Sequence, residues 1–160
     1  MTSAEVQLVK GLTHVHAIEQ QSIRLLAAAA RFAPDEETAA LYRELLAQAE
    51  CRAAIVADRL EAYGARPAEV RGAVDEALAP VIRPVPDTPI RLAETAFALE
   101  SHEAAAYRML GELAARAGDE RTALVAERIR EQVEATAELI ADTFGRAVDA
   151  AVAAEHRSAN

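Results

Sequence analysis

The stretch AETAFALESHEAAAYRMLGELA, residues 93–114, decides the fold. At helical spacing it places Ala93, Ala96, Glu100, Glu103, Tyr107, Leu110 and Ala114 on one face. That face is an apolar seam with two carboxylates one turn apart at its middle. An acidic side chain in a core-facing stripe must meet a metal, a cation, a hydrogen-bond donor or a proton. The choice among these four determines what the centre of the molecule can do.

Composition limits the setting for this helix. A chain of 160 residues and 17.1 kDa fits one domain, 1–160, with a sizeable core. It is 52% hydrophobic but only 4% aromatic, without Trp and rich in alanine, which favours closely packed helices over a β-sandwich. The net charge is −9 and Lys10 is the only lysine, so no basic stripe is available for a phosphate backbone. The single Cys51 excludes an intramolecular disulfide and fits a reducing compartment. No basic region followed by an apolar run opens the chain, and no apolar stretch approaches the about 18 residues of a membrane span. The expectation is a soluble cytoplasmic protein with neither a nucleic-acid nor a membrane partner.

Start and stop signals divide the chain into four long helices. Thr2 with Glu5 makes a capping box for a helix over about 3–32. Pro34 interrupts it, and Asp35 followed by Glu36 and Glu37 opens a second helix over about 35–63, closed by Gly64 and Pro67. Residues 65–88 carry Pro67, Pro80, Pro84 and Pro86, with one short helix-like piece from Ala68 to Leu78, and read as a crossover. Asp87-Thr88-Pro89 restarts a helix over about 89–117, and Gly118-Asp119 ends it and caps a fourth over about 119–152. Tight joints within each pair and a long connection between pairs give two antiparallel hairpins. The predicted class is therefore an all-α, ferritin-like four-helix bundle with a single long crossover.

The chain also repeats itself. A shift of 84 positions carries Asp35-Glu36-Glu37-Thr38-Ala39 onto Asp119-Glu120-Arg121-Thr122-Ala123. It also carries Glu19 onto Glu103, Gln48 onto Gln132 and Glu50 onto Glu134. A real repeat implies a pseudo-two-fold axis through the bundle centre, the architecture that di-metal carboxylate sites use.

Each remaining helix contributes a polar residue near mid-seam. The first reads Leu12, Val15, Glu19, Ser22 and Leu26; the second Leu41, Leu45, Gln48, Arg52, Val56 and Leu60; the fourth Val125, Ile129, Gln132, Thr136 and Ile140. One core layer then gathers Glu19, Gln48, Arg52, Glu100, Glu103 and Gln132, with His16 and Tyr107 one turn away. Two readings stand. Carboxylates projected inward at helical spacing suit a hard or borderline divalent ion, with Glu19, Glu100 and Glu103 as ligands and Glu50 or His16 assisting. The Glu-x-x-His motif that such centres use twice is absent, because Glu50 is followed three residues later by Ala53 and Glu134 by Ala137. The other reading is an ion network in which Arg52 shares its five donors among the carboxylates and Gln48 and Gln132 complete the hydrogen bonding. Cys51 has no evident base and is not read as a nucleophile.

At this point the chain resembles a known family. Ala17-Ile18-Glu19-Gln20-Gln21, Leu41-Tyr42-Arg43-Glu44-Leu45, Pro86-Asp87-Thr88-Pro89, Phe97-Ala98-Leu99-Glu100-Ser101-His102-Glu103, Ala126-Glu127-Arg128-Ile129 and the end from Phe144 to Ala150 are similar to the YciE/YciF-type (DUF892-like) ferritin-like proteins. The similarity covers about residues 10 to 152. It implies a ferritin-like bundle, dimeric, associated with stress responses and with a bundle-centre metal site. Glu19, Glu100 and Glu103 match the family's carboxylates on helices one and three. Helix two departs, with Ala47-Gln48 in place of adjacent acids and Arg52 or Glu50 in place of a histidine. Helix four departs with Gln132-Val133 in place of an acidic pair. The resemblance thus implies a member with a degenerate metal site: a homodimeric, non-enzymatic scaffold or partner-binding module without cofactor or catalytic residues. The alternative it leaves is a metalloprotein holding one iron, manganese or zinc ion, with iron-oxidising or metal-sequestering activity.

Overall fold

Local capping chemistry sets where the helices begin and end. The computed structural model describes residues 1–67 and 88–159. Helix α1 spans Ser3–Arg31, α2 Glu36–Ala62, α3 Pro89–Ala117, α4 Glu120–Ala141 and α5 Phe144–Ser158. Thr2 and Glu5 form the reciprocal capping box at the start of α1, with Glu5 N donating to Thr2 Oγ1 at 3.2 Å. Asp35 accepts from Thr38 N at 2.8 Å and Asp119 from Thr122 N at 2.9 Å, so the two repeat-related aspartates do the same work. Thr88 caps α3 with Pro89 in its first turn. Gly118 ends α3 at φ 72°, a left-handed conformation that a Cβ would strain. The helix-like piece expected at 68–78, and most of the crossover, lie outside the described residues.

The direction of each helix follows from what its two ends bury. One core cluster joins Leu25 and Leu26 from late α1, Tyr42 and Leu45 from early α2, Leu92 and Ala96 from early α3, and Ile140 from late α4. The other joins Leu8 and Leu12, Val56 and Leu60, Leu110 and Ala114, and Ala126 and Ile129. Helices α1 and α3 are therefore antiparallel, as are α2 and α4, and each hairpin is antiparallel within itself. The end of α2 and the start of α3 lie at opposite ends of the bundle. At 1.5 Å per residue, α2 alone is about 40 Å long, so residues 63–88 connect points separated by nearly the bundle's length. This is the single-crossover topology expected from the sequence. Among the described residues, no helix is long and apolar enough to cross a membrane.

The helix expected over 119–152 is instead divided at Asp142-Thr143. Thr143 donates through Oγ1 to Ile140 O at 2.7 Å and through its backbone N to the same oxygen at 3.0 Å. That carbonyl is the acceptor that Phe144 N would use if the helix continued, so the last turn tightens and α5 starts afresh. Helix α5 packs on α3, where Ala147 is buried and the Phe144 ring meets Phe97 at 5.8 Å. Arg146 then pairs with Glu37 at 2.8 Å and Asp35 at 3.3 Å, tying α5 to the start of α2. No proline marks the break, and Gly145 lies in the first turn of α5 with ordinary helical backbone rather than at the junction, so the sequence carried only a weak signal for it.

Candidate functional site

Between the two apolar clusters lies a layer of charge. Glu19, Arg52, Glu100 and Glu103 all have relative exposures of 0 or 1%. Each comes from a helix interior, where the backbone fixes its position and packing on both sides excludes water. Arg52 Nε donates to Glu19 Oε1 at 2.9 Å, and Tyr107 Oη donates to the same oxygen at 2.7 Å. Ser22 Oγ donates to Glu100 Oε1 at 2.7 Å. Arg52 Nη2 lies 3.6 Å from Glu100 Oε2 and 3.8 Å from Glu103 Oε2, which is ion-pair rather than hydrogen-bond distance. One guanidinium therefore faces all three carboxylates.

Several buried atoms have no hydrogen-bond partner among the described residues: Glu19 Oε2, Glu100 Oε2, both oxygens of Glu103, and Nη1 and Nη2 of Arg52. Protons offset part of this deficit. Burial, then the charges of Glu19 and Glu100, push Glu103 well above the usual carboxylate range. Burial also raises Glu100, to about 7, against the opposing pull of Arg52 and of the Ser22 hydroxyl. A protonated Glu103 turns one of the unpartnered acceptor oxygens into a donor. Burial opposes the charge on Arg52, but Glu19, Glu103 and Glu100 together outweigh it and hold Arg52 above the ordinary arginine value. Tyr107 is raised well above the ordinary tyrosine value by burial and by Glu19, so it remains a neutral donor.

Several residues expected in this layer lie elsewhere. Gln48 is half-buried and Gln132 exposed; they meet each other, Gln132 Nε2 to Gln48 Oε1, at 3.4 Å. Glu50 is exposed, as is its repeat mate Glu134, which pairs with Arg130 at 2.5 Å. His16 is only half-buried. The seams of α2 and α4 instead run through Ala49 and Val133, both fully buried. From Leu45 the buried face advances by four residues to Ala49 and then by three to Arg52; the sequence reading took three and then four. That one-residue difference exchanges an apolar side chain for an amide at the core, and burial favours the apolar one. The pairing of Gln48 with Gln132, residues 84 apart, is what a pseudo-two-fold axis passing near them requires. Ser22 and Tyr107 were legible as seam residues, but not as hydrogen-bond donors to Glu100 and Glu19, which face them from another helix.

The corrected register locates the missing ligands. An inward-facing pair at i, i+3 exists on α2 as Ala49 and Arg52, and on α4 as Val133 and Thr136. These are the places where a di-metal bundle carries Glu-x-x-His twice. Here they hold two apolar residues, a cation and a hydroxyl. Among the described residues, no three His, Cys, Asp or Glu side chains stand where they could hold a metal ion. The residues present do not fit a di-metal centre: two of four carboxylates and both imidazoles are replaced, and a guanidinium lies against the carboxylates that remain.

Comparison with other proteins agrees with this fold. A crystal structure of a protein from Xanthomonas campestris pv. campestris superposes with a TM-score of 0.81 at 22% identity, covering 97% of this chain and 99% of that one. The crystal structure of the Escherichia coli stress protein YciF superposes with a TM-score of 0.69, also at 22% identity, covering 93% and 99%. No curated protein matches the chain by sequence. The family described as domain of unknown function DUF892 matches residues 3–153, and the chain belongs to that family.

Proposed function

We propose that this chain is a ferritin-like bundle in which Arg52 stands in for the central metal, making it a non-enzymatic scaffold or partner-binding module. The single observation that carries this reading is the placement of Arg52 against Glu19, Glu100 and Glu103 at 2.9, 3.6 and 3.8 Å. A guanidinium supplies the positive charge that the carboxylates need, but no open coordination position and no redox chemistry. By analogy with the E. coli stress protein, its role belongs to a stress response; the same proposal makes it a homodimer in the cytoplasm. The lone exposed Cys51 suits a reducing compartment, and the exposed Val148 and Val152 of α5 leave apolar surface for a second copy.

One observation favours a second reading. The unpartnered oxygens of Glu19, Glu100 and Glu103 would serve a single iron, manganese or zinc ion if Arg52 swung away and the three carboxylates drew closer together. Substituting Arg52→Ala separates the two. Under the first reading it strands buried carboxylates and lowers the melting temperature by several degrees. Under the second it frees the site, and added Mn(II) restores the lost stability.

A further inference from the structure

Two histidines not used by the central cluster meet across the α1–α3 interface. His14 and His102 face each other edge to face, with ring centroids 6.1 Å apart and planes at 88°. The geometry points to a bidentate site at which His14 and His102 together bind a borderline divalent ion such as Zn(II), with water completing the coordination. A zinc–imidazole bond of about 2.0–2.1 Å puts each ring centre about 3.2 Å from the ion. Two rings sharing one ion then have centres about 5.2 Å apart at a tetrahedral angle and about 6.4 Å apart when in line. The observed separation of 6.1 Å falls between these limits, so the spacing suits one shared ion once each ring turns a nitrogen toward it.

The surroundings suit this use. His14 is half-buried and fixed by α1, whereas His102 is exposed on α3 and has room to turn. One turn away from His102 stand Ala98 and Ala105, exposed small residues that leave space for water ligands. Lys10, four residues before His14, is the one charged residue a turn away from either histidine. Burial, and then His102, hold His14 below the ordinary histidine value, which favours the neutral imidazole that coordinates metals. Imidazole donors select Zn(II), Ni(II) or Cu(II) over Mn(II), so this site and the carboxylate layer have different preferences. It does not depend on the role assigned to Arg52.

Calorimetric titration of the full-length protein with Zn(II) at neutral pH tests the assignment. One ion per chain is expected, with affinity reduced about tenfold or more in His102→Ala and in His14→Gln. His156→Ala should bind as the wild type does. His102 is exposed, so its variant folds and decides the matter even if His14→Gln is destabilised. Absence of Zn(II) binding by the wild type, or wild-type affinity in His102→Ala, overturns the site.

Discussion

Arg52 on α2 donates to Glu19 on α1 at 2.9 Å, with both side chains fully removed from solvent. This pair fastens the first hairpin at mid-bundle, and the Tyr107 hydroxyl on the same Glu19 oxygen carries the connection into the second hairpin. Burying the pair costs several kcal/mol per ion in desolvation, and the neighbouring carboxylates add repulsion among themselves. The centre holds together because one cation faces three acids and protons neutralise part of what remains.

Removing the cation should therefore be costly. Arg52→Ala is expected to destabilise the fold by about 3–5 kcal/mol at neutral pH. The loss should shrink at pH 5, where the stranded carboxyls can take up protons. Urea unfolding at the two pH values measures the difference.

The proton inventory predicts an unusual pH profile. Glu100 is raised to about 7 and Glu103 well above the usual range, while the unfolded chain releases both protons near 4.5. Between those values the folded state binds more protons than the unfolded state, so stability falls as pH rises. The contribution is complete below about pH 4.5 and declines by up to about 1.4 kcal/mol per pH unit for each group. For Glu100 the decline ends near 7; for Glu103 it continues higher. Asp119 acts in the opposite sense: despite partial burial, its bonds from Thr122, Tyr63 and Arg59 hold it below the usual range. Its contribution is present above the ordinary carboxylate range and is lost as acid protonates it. Melting temperature against pH should peak on the acid side of neutrality.

Glutamine substitutions should separate the carboxylates by role. Glu103→Gln mimics the protonated acid and is expected to be neutral or stabilising above pH 7, with a flatter pH profile. Glu19→Gln removes the charge that Arg52 and Tyr107 both address, at a cost of about 3 kcal/mol or more. Equal losses in the two variants would refute the division of roles. Thermal melts across pH distinguish the outcomes.

Restoring the absent ligands tests the register. Combining Ala49→Glu, Arg52→His, Val133→Glu and Thr136→His rebuilds Glu-x-x-His on both helices facing Glu19 and Glu103. This four-site variant should bind Fe(II) or Mn(II) and melt higher with metal than without. The same substitutions placed at Gln48 and Gln132 rather than Ala49 and Val133 should not. Elemental analysis after desalting gives the count.

Most of the architecture was legible because strong local signals mark it. The Thr2–Glu5 box, Asp35, Thr88-Pro89 and Gly118-Asp119 each fix a terminus through chemistry within four residues. The 84-residue repeat pointed to the axis where Gln48 and Gln132 meet. The buried acids were legible on α1 and α3 because a carboxylate within an apolar seam has no second interpretation. Helices α2 and α4 misled because adjacent residues, Gln48 and Ala49 or Gln132 and Val133, each continue a helical stripe. Only the packing of neighbouring helices selects between them. The division at Thr143 escaped because it depends on a hydroxyl bonded to Ile140 rather than on glycine or proline.

The most direct test of Arg52 as the occupant of the metal position is Mn(II) binding followed by EPR and thermal melting. Mn(II) prefers carboxylates and is a weak partner for the His14–His102 pair, so it reports on the bundle centre. No ordered Mn(II) is expected in the wild-type protein, and no change in melting temperature on adding it. Near-stoichiometric Mn(II) that raises the melting temperature, and is lost in Glu100→Ala, would contradict that role for Arg52.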